Sequence, residues 1–375
     1  HEVIAQSVIK PFCGVNHDAP SDAAVIAPII GEVQGAVISN GIVPRYSDID
    51  TYAMVAASID EALRNAVCVG VDLEKISGLD NFCWWDPIES EKPPDGRYKL
   101  AQLVRANRAL DEVCRAYRLP CISGKDSMKN DAIIEGEKIS IPPTLLFSLL
   151  GNHHDVRYAV SSDFKTAGDL IYQLGESHQE LGASELAFMF REEAEANTDV
   201  ADVADATNVL ATTTTTMTAT TPTTSCGIGG AVPAIDAERN IVMYRALTAA
   251  MRERLVASAH DCSDGGLAVS LAECCIGIDA GCAVDINTIL SSDAELDHWG
   301  ALFGESLGRI IVSIRPENQA GFEAAMAGNS TTLLGTVNHD NEHNFTITAN
   351  GEAVLLSRVE ELRSAWQGTL DGGRP

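Results

Sequence analysis

Apolar and polar positions follow two different periods along the first 150 or so residues. Apolar residues recur at helical spacing over 49–69 and again over 100–118, which predicts two helices, the first capped by Asp48 or Asp50. Short apolar runs surround these helices and predict strands over 7–12, 22–30, 76–82, 119–122 and 139–150. Because strands and helices alternate, the pattern indicates an α+β fold with α/β-type layers.

The same kind of pattern returns in the second half of the chain after an interruption. Residues 165–174 predict a turn into a strand, 241–256 predict a helix, and 255–259 predict a short strand that leads into another apolar helix. Residues 191–230 combine an acidic stretch with a Thr-rich tract, which predicts a flexible insertion because such sequence cannot bury a core. We therefore predict one domain over 1–154, a second over 155–345 that carries the insertion 191–230, and a C-terminal tail over 346–375.

The segment HDCSDGGLAVSLAE at 260–273 bunches oxygen-bearing side chains in front of a glycine pair and a helix. A helix start exposes unpaired N–H groups, and Gly265 and Gly266 allow a phosphate to approach the backbone closely. Asp261 and its neighbours would repel that phosphate unless a divalent cation came between them, so the turn indicates a metal-bridged nucleotide. The alternative is that Ser263 or Asp264 only caps the helix and the glycines only form the turn.

Two other places carry side chains that suit a metal or a phosphate. Glu61 and Asn65 lie four positions apart on one face of the first predicted helix, where they could share a cation or belong to an ordinary solvated face. The predicted turn SGKDSMK after the strand at 119–122 offers the Gly124 backbone, the Lys125 charge and the Ser127 hydroxyl. It lacks the glycine-rich spacing of a P-loop, and a plain connecting loop is the alternative.

Length and charge limit the classes of partner. A chain of 375 residues exceeds a typical single core, which favours two domains. Its 53 acidic and 26 basic residues give a formal net charge of −27, so nucleic acid and anionic membrane surfaces are poor partners. A phosphate ligand would need local positive groups or Mg²⁺ to overcome this field.

The cysteines and the ends of the sequence indicate the compartment. None of the ten cysteines forms a CxxC pair, so no zinc spacing is present and a reduced, cytoplasmic protein is expected. The sequence contains no signal peptide and no apolar run of transmembrane length. It opens on HEVIAQ without an initiator Met, and we expect a fragment of a longer polypeptide.

Several separate segments, taken in order, resemble phosphoribosylformylglycinamidine synthase. They are DEALRNAV at 60–67, LDNFCW at 79–84, SGKDSMKN at 123–130, DFKTAGDLIYQLGE at 163–176, HDCSDGGLAVSLAE at 260–273 and FGES at 303–306. The resemblance covers roughly residues 1–345, apart from the Thr-rich insertion, which departs from the family. It implies the second half of the family's synthetase region: an AIR synthetase-like (PurM-like) N-terminal domain followed by a PurM-like C-terminal domain.

The resemblance also implies a reaction and partners. The family uses ATP, with Mg²⁺, to convert formylglycinamide ribonucleotide (FGAR) and ammonia from glutamine into formylglycinamidine ribonucleotide (FGAM), a ligase step of purine biosynthesis. Its members pair two such domain sets, and the catalytic His lies in the half that this sequence lacks. The expected partners are therefore the missing first synthetase half and a glutaminase. An isolated second half should be inactive, and it could pair with itself through its N-terminal sheet.

Carried over residue by residue, the resemblance implies two sets of site residues. Asp22, Glu61, Asn65 and Asp261 match Mg²⁺ ligands, and Ser21 and Ser263 match nucleotide contacts, at the auxiliary ATP or ADP site of the long, single-chain enzymes. Asp80 and Gly124 match positions near ATP, Ser127 matches a substrate position, and Lys125, where relatives have Asn, is a candidate phosphate contact. A rival function is a non-catalytic half that binds Mg-ADP for structure. A third is another ATP-dependent enzyme of the AIR synthetase family.

Overall fold

The computed structural model describes residues 6–89, 95–196, 230–338 and 344–368. The first part of the chain builds a six-stranded sheet in the order β1–β4–β5–β10–β6–β7, in which only β6 and β7 run parallel. Two further strand pairs, β2–β3 and β8–β9, lie outside this sheet. The elements are β1 (Ser7–Ile9), β2 (Phe12–Cys13), β3 (Ala19–Pro20), β4 (Ala24–Ile26), β5 (Gly35–Gly41), α1 (Thr51–Cys68), β6 (Asp72–Cys83), α2 (Gly96–Tyr117), β7 (Cys121–Ser127), β8 (Asp131–Ile134), β9 (Glu137–Ser140) and β10 (Thr144–His153).

The second part builds a seven-stranded sheet in the order β12–β14–β11–β15–β13–β16–β17, with β13 and β16 parallel. Its elements are β11 (Leu170–Leu174), α3 (Glu185–Ala196), α4 (Ala237–Arg252), β12 (Ser258–Asp261), α5 (Gly266–Ile278), β13 (Cys282–Asp285), α6 (Asn287–Ser292), α7 (His298–Phe303), β14 (Ile310–Ile314), α8 (Gln319–Ala325), β15 (Thr331–Val337), β16 (Asn344–Ala349), β17 (Glu352–Arg358) and α9 (Val359–Gly368). The α+β fold expected from the sequence is therefore confirmed.

Helix α1 lies at the centre of the molecule, between the two sheets. It begins where the Asp50 carboxylate accepts a hydrogen bond from the Tyr52 backbone N–H at 2.7 Å, one of the two predicted caps. Nearly all of its residues are buried, and Leu63 shares one apolar core with Phe147 of the first sheet and Val312 of the second. A helix that is apolar on almost every side is stable only when other elements cover it. The two sheets are thus joined through α1 in a single core.

The other face of the first sheet is open. Along β5, Val37 and Ser39 point into the core while Ile38 and Asn40 are exposed, as the two-residue period of a strand requires. Leu150 of β10 and Ile122 of β7 add to the exposed apolar surface. Within the part of the chain that the structure describes, no helix combines the length and the apolar character needed to cross a membrane.

Three sequence-based expectations differ from the structure. The predicted turn SGKDSMK is wrong, because Cys121–Ser127 forms the edge strand β7, which pairs with β6 and so overrides the turn residues. The single strand predicted over 139–150 is divided into β9 and β10 at Pro142 and Pro143, which cannot donate to a strand ladder. Part of the predicted flexible insertion, residues 191–196, belongs to helix α3, and residues 197–229 lie outside the described residues.

Candidate functional site

Asp22 and Asp261 meet beside His260, although 239 residues separate the two aspartates. Asp22 follows the short strand β3, and Asp261 ends β12, which the apolar run before the glycine pair predicts. The backbone N–H of Asp261 and the Nδ1 of His260 approach the same oxygen, Oδ1 of Asp22, at 3.3 and 2.7 Å. Ligand atoms of Asp22, His260 and Asp261 all lie within 4.8 Å of one another. The structure therefore brings together two of the four predicted metal ligands.

Glu61 and Asn65 of α1 lie on the side of the helix that meets the end of β5. Glu61 Oε2 accepts a hydrogen bond from the Ile42 backbone N–H at 2.8 Å, and Asn65 Nδ2 donates to the Asn40 carbonyl at 3.1 Å. Asn65 is buried and Glu61 is partly buried, so the alternative of a solvated helix face is wrong. Glu61 does not belong to the group of Asp22, His260 and Asp261, whose ligand atoms lie close together. It is nevertheless near enough to Asp261 for the charge of that carboxylate to affect its pKa.

The pKa shifts of Glu61, Asp22 and His260 indicate an excess of negative charge around these side chains. Burial raises the pKa of Glu61 to about 8, and the nearby charge of Asp261 contributes to the rise. Burial also raises the pKa of Asp22 to about 6, although the contact with His260 opposes it. Burial by itself would lower the pKa of His260, but the charge of Asp22 raises it well above the usual range. A cation between these carboxylates would relieve their mutual repulsion.

A magnesium ion fits the donor set. The side chain of Asp22 is 2% exposed, and its Oδ2 has no hydrogen-bond partner among the described residues. The hydroxyl of Ser21 is likewise buried without a partner among them. Carboxylate, amide and hydroxyl oxygens are the ligands that Mg²⁺ prefers, and an unpaired buried oxygen is costly unless a ligand satisfies it. Both ring nitrogens of His260 already contact carboxylates, Nδ1 that of Asp22 at 2.7 Å and Nε2 that of Glu273 at 2.9 Å, so neither is free to bind the ion.

The glycine turn serves packing rather than a free phosphate cradle. Gly265 and Gly266 both have positive φ, and a Cβ on Gly266 would lie 2.5 Å from the Gly304 carbonyl oxygen. The Gly265 N–H donates to Glu305 Oε1 at 3.0 Å, and the Gly266 N–H donates to the Ser263 carbonyl at 2.9 Å. The helix α5 has Gly265 at its N-cap without a side-chain cap bond, so capping by Ser263 or Asp264 is also wrong. Ser263 instead contacts Asp261 Oδ1 at 3.4 Å.

Sequence reasoning missed a buried ionic network behind the site. Asp60 and Arg64 of α1 are fully or almost fully buried and form an ion pair, and Arg64 Nη2 also lies 3.4 Å from Asp261 Oδ2. Glu305 of the FGES segment is buried as well and accepts a hydrogen bond from the Glu185 backbone N–H at 2.8 Å. The apolar surroundings of DEALRN were the signal that its charged residues have no route to solvent. The network fixes one side of Asp261.

The second predicted set lies on the paired strands β6 and β7 and does not converge on one point. Asp80 and Gly124 pair across β6 and β7, and a Cβ on Gly124 would lie 2.7 Å from Asp80 Oδ1. Lys125 alternates to the opposite face, where its Nζ contacts the Ser127 hydroxyl. Gly124 is therefore required by the Asp80 carboxylate, whereas Lys125 and Ser127 belong to the open face of the first sheet.

Comparison with known proteins shows the fold class of the chain. Residues 166–348 match the family model described as AIR synthase related protein, C-terminal domain. The two-sheet chain as a whole has the fold of solved structures that share this architecture, including the HypE–HypF complex, with a TM-score of 0.53, 13% identity and coverage of 90% of this chain and 93% of that one. The chain thus has an AIR synthase-like fold, and the family match is confined to residues 166–348.

Within this class the chain resembles phosphoribosylformylglycinamidine synthase. Thermotoga maritima PurL complexed with FGAR superposes with a TM-score of 0.65 at 13% identity, over 95% of this chain and 50% of that one. Phosphoribosylformylglycinamidine synthase II from T. maritima gives 0.63 at 12% identity, over 95% and 48%. The resemblance predicted from the sequence segments is confirmed at the level of the fold. The chain spans about half of the length of these T. maritima proteins.

Proposed function

We propose that this chain is the second half of the synthetase unit of a phosphoribosylformylglycinamidine synthase. We further propose that its acidic site, formed by Asp22, Glu61, Asn65 and Asp261, holds a Mg²⁺-bound nucleotide. The observation that carries the proposal is the buried Oδ2 of Asp22, which has no partner among the described residues although its residue lies beside Asp261. Support for the nucleotide comes from T. maritima PurL, whose structures include complexes with ATP and with ADP. This chain covers about half of the length of the PurL chain in each of these complexes.

In this proposal Asp22, Glu61, Asn65 and Asp261 hold the cation, and Ser21 and Ser263 contact the nucleotide. The ion would screen the phosphates, which the surrounding carboxylates would otherwise repel. Asp22 and Asp261 are oriented by the contacts of His260 and Arg64, so the protein supplies a largely preformed set of oxygens. Preformed ligands cost little ordering when the ion binds.

The second part of the proposal concerns the chemistry. We place ATP near Asp80 and Gly124, and FGAR near Ser127, at the edge of the first sheet, where Lys125 could contact a phosphate. ATP would activate the FGAR amide oxygen by phosphorylation, so that ammonia displaces phosphate and FGAM forms. Because Lys125 and Ser127 lie on the open sheet face, this site would be completed by the missing first half, with a glutaminase as the source of ammonia. The chain by itself would then be inactive.

The rival function is a structural half that binds Mg-ADP without turnover. It is favoured by the location of the acidic site, because all of its predicted ligands come from one chain and none from the open face. A self-dimer through the open face is a related expectation, since exposed Ile38, Leu150 and Ile122 lie there. The two functions share the acidic site and differ in whether Asp80, Gly124 and Ser127 belong to a complete catalytic site.

The test of the proposed site is a calorimetric titration of the chain with ADP and ATP, in Mg²⁺ and in EDTA. The matched variants are Asp22→Asn and Asp261→Asn, and Asp169→Asn removes a buried carboxylate elsewhere in the fold. We expect Mg²⁺-dependent binding that falls at least tenfold in the first two variants and is unchanged in the third. Ligand bound only by the folded chain should also raise its melting temperature. If the wild-type chain takes up neither nucleotide in Mg²⁺, the proposed site is wrong.

The test of turnover uses the chain reconstituted with the first synthetase half, with FGAR, ATP and ammonium chloride. Ser127→Ala should abolish FGAM formation while Mg-ADP binding to the chain is retained. Full activity in this variant would leave the structural function as the better account. The ammonium salt replaces the glutaminase, so the result does not depend on that partner.

A further inference from the structure

His260 stands between the acidic site and helix α5. It is 5% exposed and lies in β12, one residue before Asp261. Its Nδ1 is 2.7 Å from Asp22 Oδ1, and its Nε2 is 2.9 Å from Glu273 Oε2 on α5. A carboxylate oxygen can only accept, so each nitrogen that bonds to one must carry a hydrogen. The ring is therefore held at both ends by carboxylates and cannot rotate without losing a contact.

These contacts determine which oxygen of Asp22 is available. Oδ1 receives the His260 ring and the Asp261 backbone N–H, whereas Oδ2 is buried and has no partner among the described residues. Two donors on one oxygen fix the rotation of the carboxylate, and the other oxygen is left without a donor among the described residues. Without the ring, Asp22 could turn and use Oδ2 for other contacts.

We propose that His260 is a positioning residue for the cation site: Glu273 holds its ring, and the ring holds Asp22 with Oδ2 free for the ion. The inference rests on the proposed function, because it concerns the same Mg²⁺. Outer-shell partners of metal ligands commonly change the metal affinity by about tenfold to a hundredfold when they are replaced. We therefore expect an effect on ion affinity that is separate from any effect on folding.

Two conservative variants separate the two ring nitrogens. The side-chain amide of Asn reaches about as far as Nδ1 of histidine, and that of Gln reaches about as far as Nε2. His260→Asn should accordingly keep the donor to Asp22, whereas His260→Gln should keep only the contact with Glu273. His153 provides the matched control, since it is buried and its Nε2 contacts the Val69 carbonyl at 3.0 Å, away from the site.

The measurement is the affinity of the nucleotide-free chain for Mn²⁺, obtained from the electron paramagnetic resonance signal of the free ion. Displacement of Mn²⁺ by Mg²⁺ then gives the affinity for Mg²⁺. We expect His260→Gln to lose tenfold or more in Mn²⁺ affinity, and His260→Asn and His153→Asn to stay within about threefold of wild type. Circular dichroism and the melting temperature in EDTA show whether each variant is folded. If His260→Gln does not fold, Glu273→Ala tests the same contacts from the partly exposed end and should weaken Mn²⁺ binding severalfold.

The results distinguish the positioning role of His260 from the existence of the cation site. A folded His260→Gln chain that binds Mn²⁺ as tightly as wild type overturns the positioning role and leaves the cation site intact. Equal and complete loss in both His260 variants would make the ring a direct ligand and would also overturn it. If the wild-type chain binds neither Mn²⁺ nor Mg²⁺, the proposed cation site fails and the inference fails with it.

Discussion

The Asp60 carboxylate should be one of the most sensitive positions in the protein. It is fully buried, and it accepts hydrogen bonds from the Tyr244 hydroxyl at 2.8 Å and the Gly308 backbone N–H at 3.2 Å. The Tyr117 hydroxyl and the Arg64 guanidinium also donate to it. Its donors come from α1, α2, α4 and the turn before β14, so one side chain connects elements of both sheets.

Replacement of Asp60 by Asn keeps the shape and removes the charge. Arg64, also buried, would retain Asp261 at 3.4 Å as its remaining ion-pair partner. Removal of one partner from a buried ion pair typically costs about 3–5 kcal/mol, because the other charge is left uncompensated. The Asn oxygen still accepts from some of the donors, so we expect a loss of about 3 kcal/mol. That is a large share of the roughly 5–15 kcal/mol that stabilises a typical protein.

Urea unfolding followed by circular dichroism measures the loss. The control is Asp111→Asn, which removes an exposed ion pair with Arg115 on α2 and should cost less than about 1 kcal/mol. The double variant Asp60→Asn with Arg64→Met should be less destabilised than Asp60→Asn alone, because no buried charge is left unpaired. The reasoning is refuted if Asp60→Asn is as stable as the control. It is also refuted if the double variant shows no recovery.

The glycine turn, Glu305 and the edge strand each carry a prediction. Gly266→Ala should lower the free energy of unfolding by several kcal/mol, because the added Cβ would lie 2.5 Å from a carbonyl oxygen. Gly168 also has a positive φ but open space around it, so Gly168→Ala should lower it by only about 1–2 kcal/mol. Thermal unfolding measures both. Burial raises the pKa of Glu305 from 4.5 to about 7, so the folded state binds this proton more tightly and loses stability as the pH rises between these values. Urea unfolding in EDTA at about pH 4 and about pH 8 measures this loss. Between these two pH values, the free energy of unfolding of wild type should fall by on the order of 3 kcal/mol more than that of Glu305→Gln. Thermal shift should give Ser127→Ala and wild type the same stabilisation by Mg-ADP, and an unequal shift would connect the edge strand to the acidic site.

Local patterns predicted the main helices, because their signals lie within a few turns of chain. A strand, the glycine pair and the start of α5 were predicted around HDCSDGG, because an apolar run, an acidic turn and a second apolar run follow directly on one another. The strand was predicted over 255–259, whereas β12 spans Ser258–Asp261. The edge strand β7 was missed because SGKDS has turn-forming residues and pairs on one side only. Such a strand is specified by its neighbour β6 rather than by its own composition.

The site was predictable in its parts but not in its assembly. The spacing of Glu61 and Asn65 indicated one helix face, whereas the meeting of Asp22 with Asp261 came from the family resemblance, because no local pattern connects residues so far apart. His260 was treated as part of a helix-start turn, yet it lies in β12 with both ring nitrogens in contact with carboxylates. Its role depends on α5 and on the loop after β3, which only the tertiary structure brings together.

The acidic site and the junction of the two sheets are one structural unit. Arg64 contacts Asp60, which ties α1 to α4 and to the turn before β14, and the same guanidinium contacts Asp261. Asp22 comes from the first part of the chain and Asp261 from the second, so their oxygens approach one another only when both sheets pack on α1. A cation bound there would stabilise that packed arrangement by mass action, because the separated parts would not present the same ligands. Mg²⁺ should therefore raise the midpoint of the main unfolding transition, and loss of the Asp60 network should weaken cation binding even though Asp60 does not face the ion.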